Sequence, residues 1–124
     1  MKRLFSAALL AACLTLGAAS AGAQEFKPKS VIHIVNVKWK KDVTKDQIKA
    51  ALDGLEAINK SYPGLKRVWT NTFKLQLEEF SQVIVMEFES REALEKYADS
   101  PAQKAWYKLY LPIREESRTN DVTN

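Results

Sequence analysis

The chain is poor in the residues that build metal sites, disulfides and phosphate-binding loops. Its 124 residues include one cysteine, one histidine and four glycines. A single histidine and a single cysteine cannot supply the four ligands of a structural zinc site, and one cysteine forms no intrachain disulfide. Neither a glycine-rich phosphate loop nor a Gly-x-Ser-x-Gly nucleophile elbow occurs. The sequence therefore predicts no metal and no cofactor.

The N-terminus has the pattern of a secretory signal. Lys2 and Arg3 precede a nearly continuous apolar stretch, and small residues follow it. This pattern predicts export to the periplasm or the outside, with cleavage between Ala23 and Gln24. The stretch is too short and too rich in alanine to predict a membrane span. A small-residue tripeptide before Cys13 resembles a lipoprotein box, so a lipid anchor at Cys13 is the alternative.

The predicted mature chain is one weakly basic domain. Removing residues 1–23 from the 124 leaves 101, and the net charge falls from +4 to +2 because two basic residues leave with the signal. We expect a flexible lead-in at residues 24–30 and one folded domain at 31–122. Trp106, Tyr107 and Tyr110 have lysines nearby, but Trp106 and Tyr110 are four residues apart, which is typical of a packed helix face, and the basic residues are scattered. The sequence therefore does not predict nucleic-acid binding.

Hydrophobic periodicity predicts seven elements between residues 31 and 122. Thr44 and Gln47 have the spacing of a helix capping box, and Ser100 with Gln103 repeats that spacing around Pro101. Pro63 follows the first helix. The predicted elements are strand 31–39, a helix from Thr44 to about Asn59, strands 65–77 and 81–89, helices capped by Ser90 and Ser100, and a last strand at 118–122.

This order predicts an α+β fold of the ferredoxin-like, split βαβ type: a four-stranded antiparallel sheet with helices on one face. The first strand is apolar on both faces, because Ile32 and Ile34 alternate with Val31, Val35 and Val37. One face then needs a cover that the helices do not supply. A second copy of the chain is the simplest cover, so we expect a homodimer that forms a dimeric α/β barrel.

Four segments resemble one known family. They are Val31–Trp39, Pro63-Gly64, the run Val85–Tyr97 (VMEFESREALEKY) and the closing Asn120-Asp121. In order and spacing they resemble the stress-responsive dimeric α/β barrel domains, called Dabb, over nearly the whole predicted mature chain. The resemblance implies a homodimer whose two sheets enclose a cavity, and some members use that cavity for chemistry.

Plant polyketide cyclases of this family suggest which residues to examine. The resemblance matches their first-strand histidine to His33 and a catalytic tyrosine to Tyr97. It also aligns their His-Pro-x-His tetrapeptide with Ser100–Gln103, where both histidines are missing. Gln103 stands where the general base is expected, and a glutamine side chain takes no proton at physiological pH. The cyclase mechanism therefore does not transfer to this chain.

His33 leaves three interpretations open: a cavity-lining group that binds a ligand, a strand histidine held by packing and one hydrogen bond, or a catalytic residue. Because the sequence offers His33 no base partner, we assign no catalytic residue. We predict His33, Tyr97 and Gln103 as ligand-binding candidates. Glu87 and Glu89 are at most a weak cation site, and a solvated strand end explains them better. Two functions remain: an exported dimeric protein that binds a small, partly apolar molecule or acts in stress response, or a cofactor-independent enzyme, resembling a polyketide cyclase or small monooxygenase, that uses His33 and Tyr97.

Overall fold

The computed structural model describes residues 28–124. The predicted cleavage site at Ala23 and Gln24, and the alternative lipid site at Cys13, lie outside the described residues. No helix within residues 28–124 is long and apolar enough to cross a membrane. The elements are β1 (Val31–Trp39), α1 (Lys45–Ser61), β2 (Leu65–Trp69), β3 (Gln82–Phe88), α2 (Arg91–Tyr97), α3 (Pro101–Tyr110) and β4 (Arg114–Val122).

The four strands form one antiparallel sheet in the order β2-β3-β1-β4. Val35 and Val37 of the central strand β1 are buried, whereas Ile32 and Ile34, which point to the opposite face, are half-buried. Side chains alternate between the faces of a strand, so these two sets mark a covered face and an open face. The strand order and the all-antiparallel pairing confirm the predicted ferredoxin-like α+β fold.

All three helices contribute to the core on the covered face. Leu55 of α1, Tyr97 of α2 and Trp106 of α3 belong to one buried cluster with Val35 and Val37. Each large side chain removed from water in this way stabilises the fold by roughly 1.5–3 kcal/mol. The cluster therefore fixes the helices against the sheet and determines which face of each strand can border a pocket.

A close contact between α1 and α3 fixes the spacing of these two helices. The indole Nε1 of Trp106 donates a hydrogen bond of 2.8 Å to the carbonyl of Ala51. At Gly54, an added Cβ would lie 3.1 Å from Cδ1 of Leu109, so a small residue permits the approach. The capping box that begins α1 is present as predicted: Thr44 Oγ1 accepts from the backbone of Gln47, whose side chain accepts from the backbone of Thr44.

The predicted strand at 65–77 is wrong in its length, because β2 ends at Trp69. Beyond it, the hydroxyl of Thr72 accepts a hydrogen bond of 2.8 Å from the backbone N–H of Val83, taking the place of a strand partner. The side chain of Gln82 donates to the carbonyl of Thr70 at 2.5 Å. Beyond Trp69, polar side chains therefore make hydrogen bonds to backbone groups that a longer β2 strand would have paired with β3.

The predicted last strand at 118–122 begins too late, because β4 starts at Arg114. It pairs with β1 over its whole length, with a register shift between Lys38 and Trp39. β4 is an edge strand with no fully buried residue on either face, so the sequence from Arg114 onward is mostly polar and shows no apolar alternation. Pro28 and Ser30, within the predicted lead-in, accept hydrogen bonds through their carbonyls from Asn124 and Thr123.

Candidate functional site

A pocket of about 370 Å³ lies on the covered face, between the strands β1 and β4 and the helices α2 and α3. Its volume is in the range of small-molecule sites. Its apolar wall is mainly aromatic, and polar side chains stand along β1, β4 and the start of α3. The polar side chains that border it include those of His33, Tyr97, Gln103, Tyr110, Arg114 and Asp121. The three residues predicted from the sequence therefore border the same pocket.

His33 faces the helices, not the open face of the sheet. It has the same parity along β1 as Val35 and Val37, and its ring lies edge-on to Phe88 at 6.3 Å between centres. The expectation that its side chain borders a cavity between two sheets is therefore wrong: the pocket is enclosed by one protomer. Since both faces of β1 are apolar, the alternation alone did not show which face the helices cover.

Asp121 is the ionisable partner of His33 that sequence reasoning missed. The two residues are directly opposed in the β1–β4 register, and His33 Nδ1 lies 2.6 Å from Asp121 Oδ1. An ionised carboxylate only accepts, so Nδ1 carries a proton, and in the neutral imidazole Nε2 is then an acceptor. The histidine side chain is 20% exposed and the aspartate 49%. This contact gives His33 a fixed orientation at an accessible end of the pocket.

Tyr97 presents a buried phenol. Its side chain is 2% exposed, and its hydroxyl has no hydrogen-bond partner within residues 28–124. Burial raises the pKa of Tyr97 well above its ordinary value, and Tyr107 and Tyr62 raise it further. The phenol therefore stays protonated and acts as a hydrogen-bond donor. The ring of Phe88, 5.2 Å from Tyr97 between centres, is the neighbour that Tyr97 shares with His33.

Gln103 borders the pocket, but its side-chain oxygen is engaged in a helix cap. Ser100 Oγ accepts from the backbone N–H of Gln103 at 3.1 Å, as predicted. The expected return bond to Ser100 is wrong: Gln103 Oε1 accepts from the backbone N–H of Asp99 at 2.7 Å. The N–H of Ser100 is already used, because it donates to the carbonyl of Tyr97 at 3.0 Å. Gln103 thus holds the start of α3, and only its amide N–H groups remain for a ligand.

The glutamates considered as a weak cation site are separated in their interactions. Glu87 is buried on the open face and forms an ion pair of 2.5 Å with Arg67, while Glu89 is exposed. Within the described part of the chain, no group of three or more histidine, cysteine, aspartate or glutamate side chains is arranged to hold a metal ion.

The family is decided by a comparison that spans the folded region. The profile of the stress responsive A/B barrel domain, Dabb, matches residues 31–124. The chain belongs to the Dabb family. The match begins at β1, which carries His33, and includes β4, which carries Asp121. No curated protein sequence matches this Dabb chain significantly.

Solved structures with this fold have varied functions. A dimeric ferredoxin-like protein of unknown function from Bacteroides fragilis is 18% identical with a TM-score of 0.64, covering 80% of this chain and 100% of its own. A hydroxynitrile lyase from Passiflora edulis is 19% identical with a TM-score of 0.70, covering 77% and 93%. SnoaB, a cofactor-independent oxygenase from Streptomyces nogalater, is 11% identical with a TM-score of 0.63, covering 77% and 93%. At these identities the likeness shows the fold of the Dabb chain and leaves its activity open.

Proposed function

We propose that this Dabb domain binds a small, partly apolar molecule with an acidic hydroxyl group in the pocket beside His33. The observation that carries the proposal is the 2.6 Å contact between His33 Nδ1 and Asp121 Oδ1 at the edge of an aromatic pocket. Asp121 fixes the tautomer, so Nε2 accepts a proton or hydrogen bond from the ligand. The aromatic wall from α3 contributes apolar contact area to the bound molecule.

Calorimetric titration with 4-nitrophenol tests this function. The probe combines an aromatic ring with an acidic hydroxyl, and it becomes coloured when it ionises. We expect wild-type protein to bind it and His33→Phe, which keeps a ring but loses the acceptor, to bind about tenfold more weakly. Asp121→Asn should also weaken binding, whereas Asp53→Asn, an exposed matched control on α1, should not. Equal binding by wild type and His33→Phe contradicts the proposal.

The same contact favours proton-transfer catalysis as the second candidate. His33 Nε2 would remove a proton from a carbon next to a carbonyl, and the protonated phenol of Tyr97 would donate a hydrogen bond to the enolate oxygen. Two neighbours of this fold are named as enzymes, which supports the capacity of the fold for chemistry. Deuterium exchange into phenylacetone, followed by NMR, tests it: faster exchange with wild type than with His33→Phe supports catalysis, and equal rates leave binding alone.

We also propose that the open face of the sheet is covered by a second copy of the chain. Ile32 and Ile34 are half-buried there, and Trp69 and Val122 are 47% and 51% exposed. A groove of about 400 Å³ runs between some of these side chains, and three structural neighbours are described as dimeric. Sedimentation of the wild type at micromolar concentration should give a dimer, and Ile34→Lys should give a monomer. A wild-type monomer contradicts the proposal.

Export and a part in stress response complete the proposed function. Support for export comes from the sequence pattern before Gln24, and support for the stress role comes from the family. Mass spectrometry of protein purified from its native source gives the mature terminus and any lipid at Cys13. A terminus at Gln24 supports cleavage after Ala23, a lipid-modified Cys13 supports the anchored alternative, and an intact Met1 contradicts both.

A further inference from the structure

Arg114 is a pocket cation without an acidic partner. It begins β4 and is half-buried, and its Nη1 donates to Ser117 Oγ at 3.3 Å. Its guanidinium lies 5.5 Å from the ring centre of Tyr110. No ion pair joins Arg114 to an acidic side chain in the described part of the chain, although Arg67 and Arg118 each have one. A partly desolvated guanidinium next to an aromatic wall is suited to a carboxylate.

The acidic groups of β4 near Arg114 are engaged elsewhere. Glu115 lies 3.2 Å from Lys38 Nζ, and Glu116 Oε1 lies 2.9 Å from Arg118 Nε. Two carboxylates border the pocket: Asp121 lies beside His33, and Glu95 lies on α2. Asp121 lies four positions along β4 from Ser117, the partner of Arg114, which places these two residues about 13 Å apart. The pocket is therefore acidic at one end and basic at the other.

A buried tyrosine hydroxyl adds a donor without an assigned partner. Tyr97 borders the pocket, is 2% exposed, and its hydroxyl has no hydrogen-bond partner within residues 28–124. The hydroxyl of Tyr110 lies beside Ser117 and Arg114, which oppose the rise that burial causes in its pKa. A buried hydroxyl without a partner costs about 1–3 kcal/mol, and a ligand oxygen atom would satisfy that of Tyr97.

We propose that the ligand is an aromatic acid, held with its carboxylate at Arg114 and its hydroxyl at His33. This inference rests on the proposed function and adds the substrate class and the orientation. The opposite orientation would place the carboxylate beside Asp121 and Glu95, where like charges repel it. The ring would lie along the wall formed by Trp106 and Tyr110, whose own rings stack at 4.4 Å.

Two matched probes test the inference. The first is 3-(4-hydroxyphenyl)propanoate and the second is its primary amide, which has the same ring and hydroxyl without the charge. We expect wild-type protein to bind the acid about tenfold more tightly than the amide, and Arg114→Gln to bind both alike. Arg114→Lys should keep part of the preference. Lys104→Gln, which removes one exposed positive charge from α3 outside the pocket lining, should keep all of it. Thermal unfolding of each variant shows that it is folded.

The outcomes separate the two proposals. Equal affinity of wild type for the acid and the amide overturns the aromatic-acid inference and leaves the proposed function standing. A preference for the acid that survives in Arg114→Gln also overturns the inference, because another group then holds the carboxylate. Absence of binding by either probe and by 4-nitrophenol contradicts the proposed function itself, and the inference falls with it.

Discussion

At the scale of single residues, the pocket separates an acceptor from a donor. The imidazole of His33 is held through Nδ1 by Asp121, and the phenol of Tyr97 stays protonated because burial raises its pKa. A ligand hydroxyl can therefore donate to His33, and a ligand carbonyl or carboxylate can accept from Tyr97. The same two residues would act as base and hydrogen-bond donor if the ligand is also a substrate.

Tyr97→Phe distinguishes a hydroxyl kept for ligand binding from one kept for stability. The substitution removes a buried hydroxyl without a partner and keeps the ring, so we expect the free energy of unfolding to be unchanged or to rise by up to about 1 kcal/mol. Binding of the 3-(4-hydroxyphenyl)propanoate probe should weaken. Urea denaturation and calorimetry measure the two effects. A loss of stability above about 1 kcal/mol would show that the hydroxyl has a structural partner.

Some of this site was predictable from the sequence. The resemblance to known cyclases indicated His33, Tyr97 and Gln103, and the structure places all three around one pocket. Asp121 and Arg114 were missed as pocket residues because both stand on a polar edge strand, whose start and register have no hydrophobic signal. Asp121 was inside the matching segment Asn120-Asp121, but only its pairing opposite His33 gives it a role.

At the scale of elements, the helices were more predictable than the strands. Thr44, Ser90 and Ser100 cap α1, α2 and α3 as predicted, because local hydrogen bonds to the third residue of a helix depend on the sequence alone. The end of β2 was not predictable in this way. It depends on Thr72, whose hydroxyl binds the backbone of β3 across a long connection.

Thr72→Val tests this account of the connection between β2 and β3. The change keeps the shape of the side chain but leaves the N–H of Val83 without its acceptor, so we expect the fold to lose about 1–2 kcal/mol of stability. Thr70→Val is the matched control, because it removes only a hydrogen bond to the exposed Glu56 and should change stability by less than about 0.5 kcal/mol. Equal effects in denaturant titrations would contradict the role of Thr72.

At the scale of the whole molecule, the two faces of the sheet have different tasks. The covered face forms the pocket, whereas the open face carries apolar side chains and the ion pair of the buried Glu87 with the exposed Arg67. The side chain of Glu87 is 5% exposed, and a paired carboxylate stays inside a protein only while its partner is present. Through this ion pair, the stability of the folded protein becomes sensitive to acid.

Glu87→Gln should lower stability at neutral pH and have less effect in acid. The hydrogen bond from Arg67 lowers the pKa of Glu87 below its ordinary value, with a smaller contribution from Ser30. A lowered pKa stabilises the folded state above the ordinary glutamate value of about 4.3, and this contribution is lost as the pH falls through the folded value. Denaturation at pH 7 and in acid measures the difference in free energy of unfolding between wild type and Glu87→Gln. A difference that stays the same at both pH values contradicts the role given to the Glu87 carboxylate. Glu92→Gln, at an exposed position, is the control.

Nitrogen-15 NMR of the imidazole tests most directly the claim that Asp121 holds His33 so that Nε2 faces a ligand. His33 is the only histidine in the chain, so tag-free protein gives one pair of ring nitrogen signals. We predict that the neutral imidazole carries its proton on Nδ1 and none on Nε2, and that the Nε2 signal shifts when 4-nitrophenol is added. A proton on Nε2 with a bare Nδ1, or an Nε2 signal that the probe does not move, would contradict the claim.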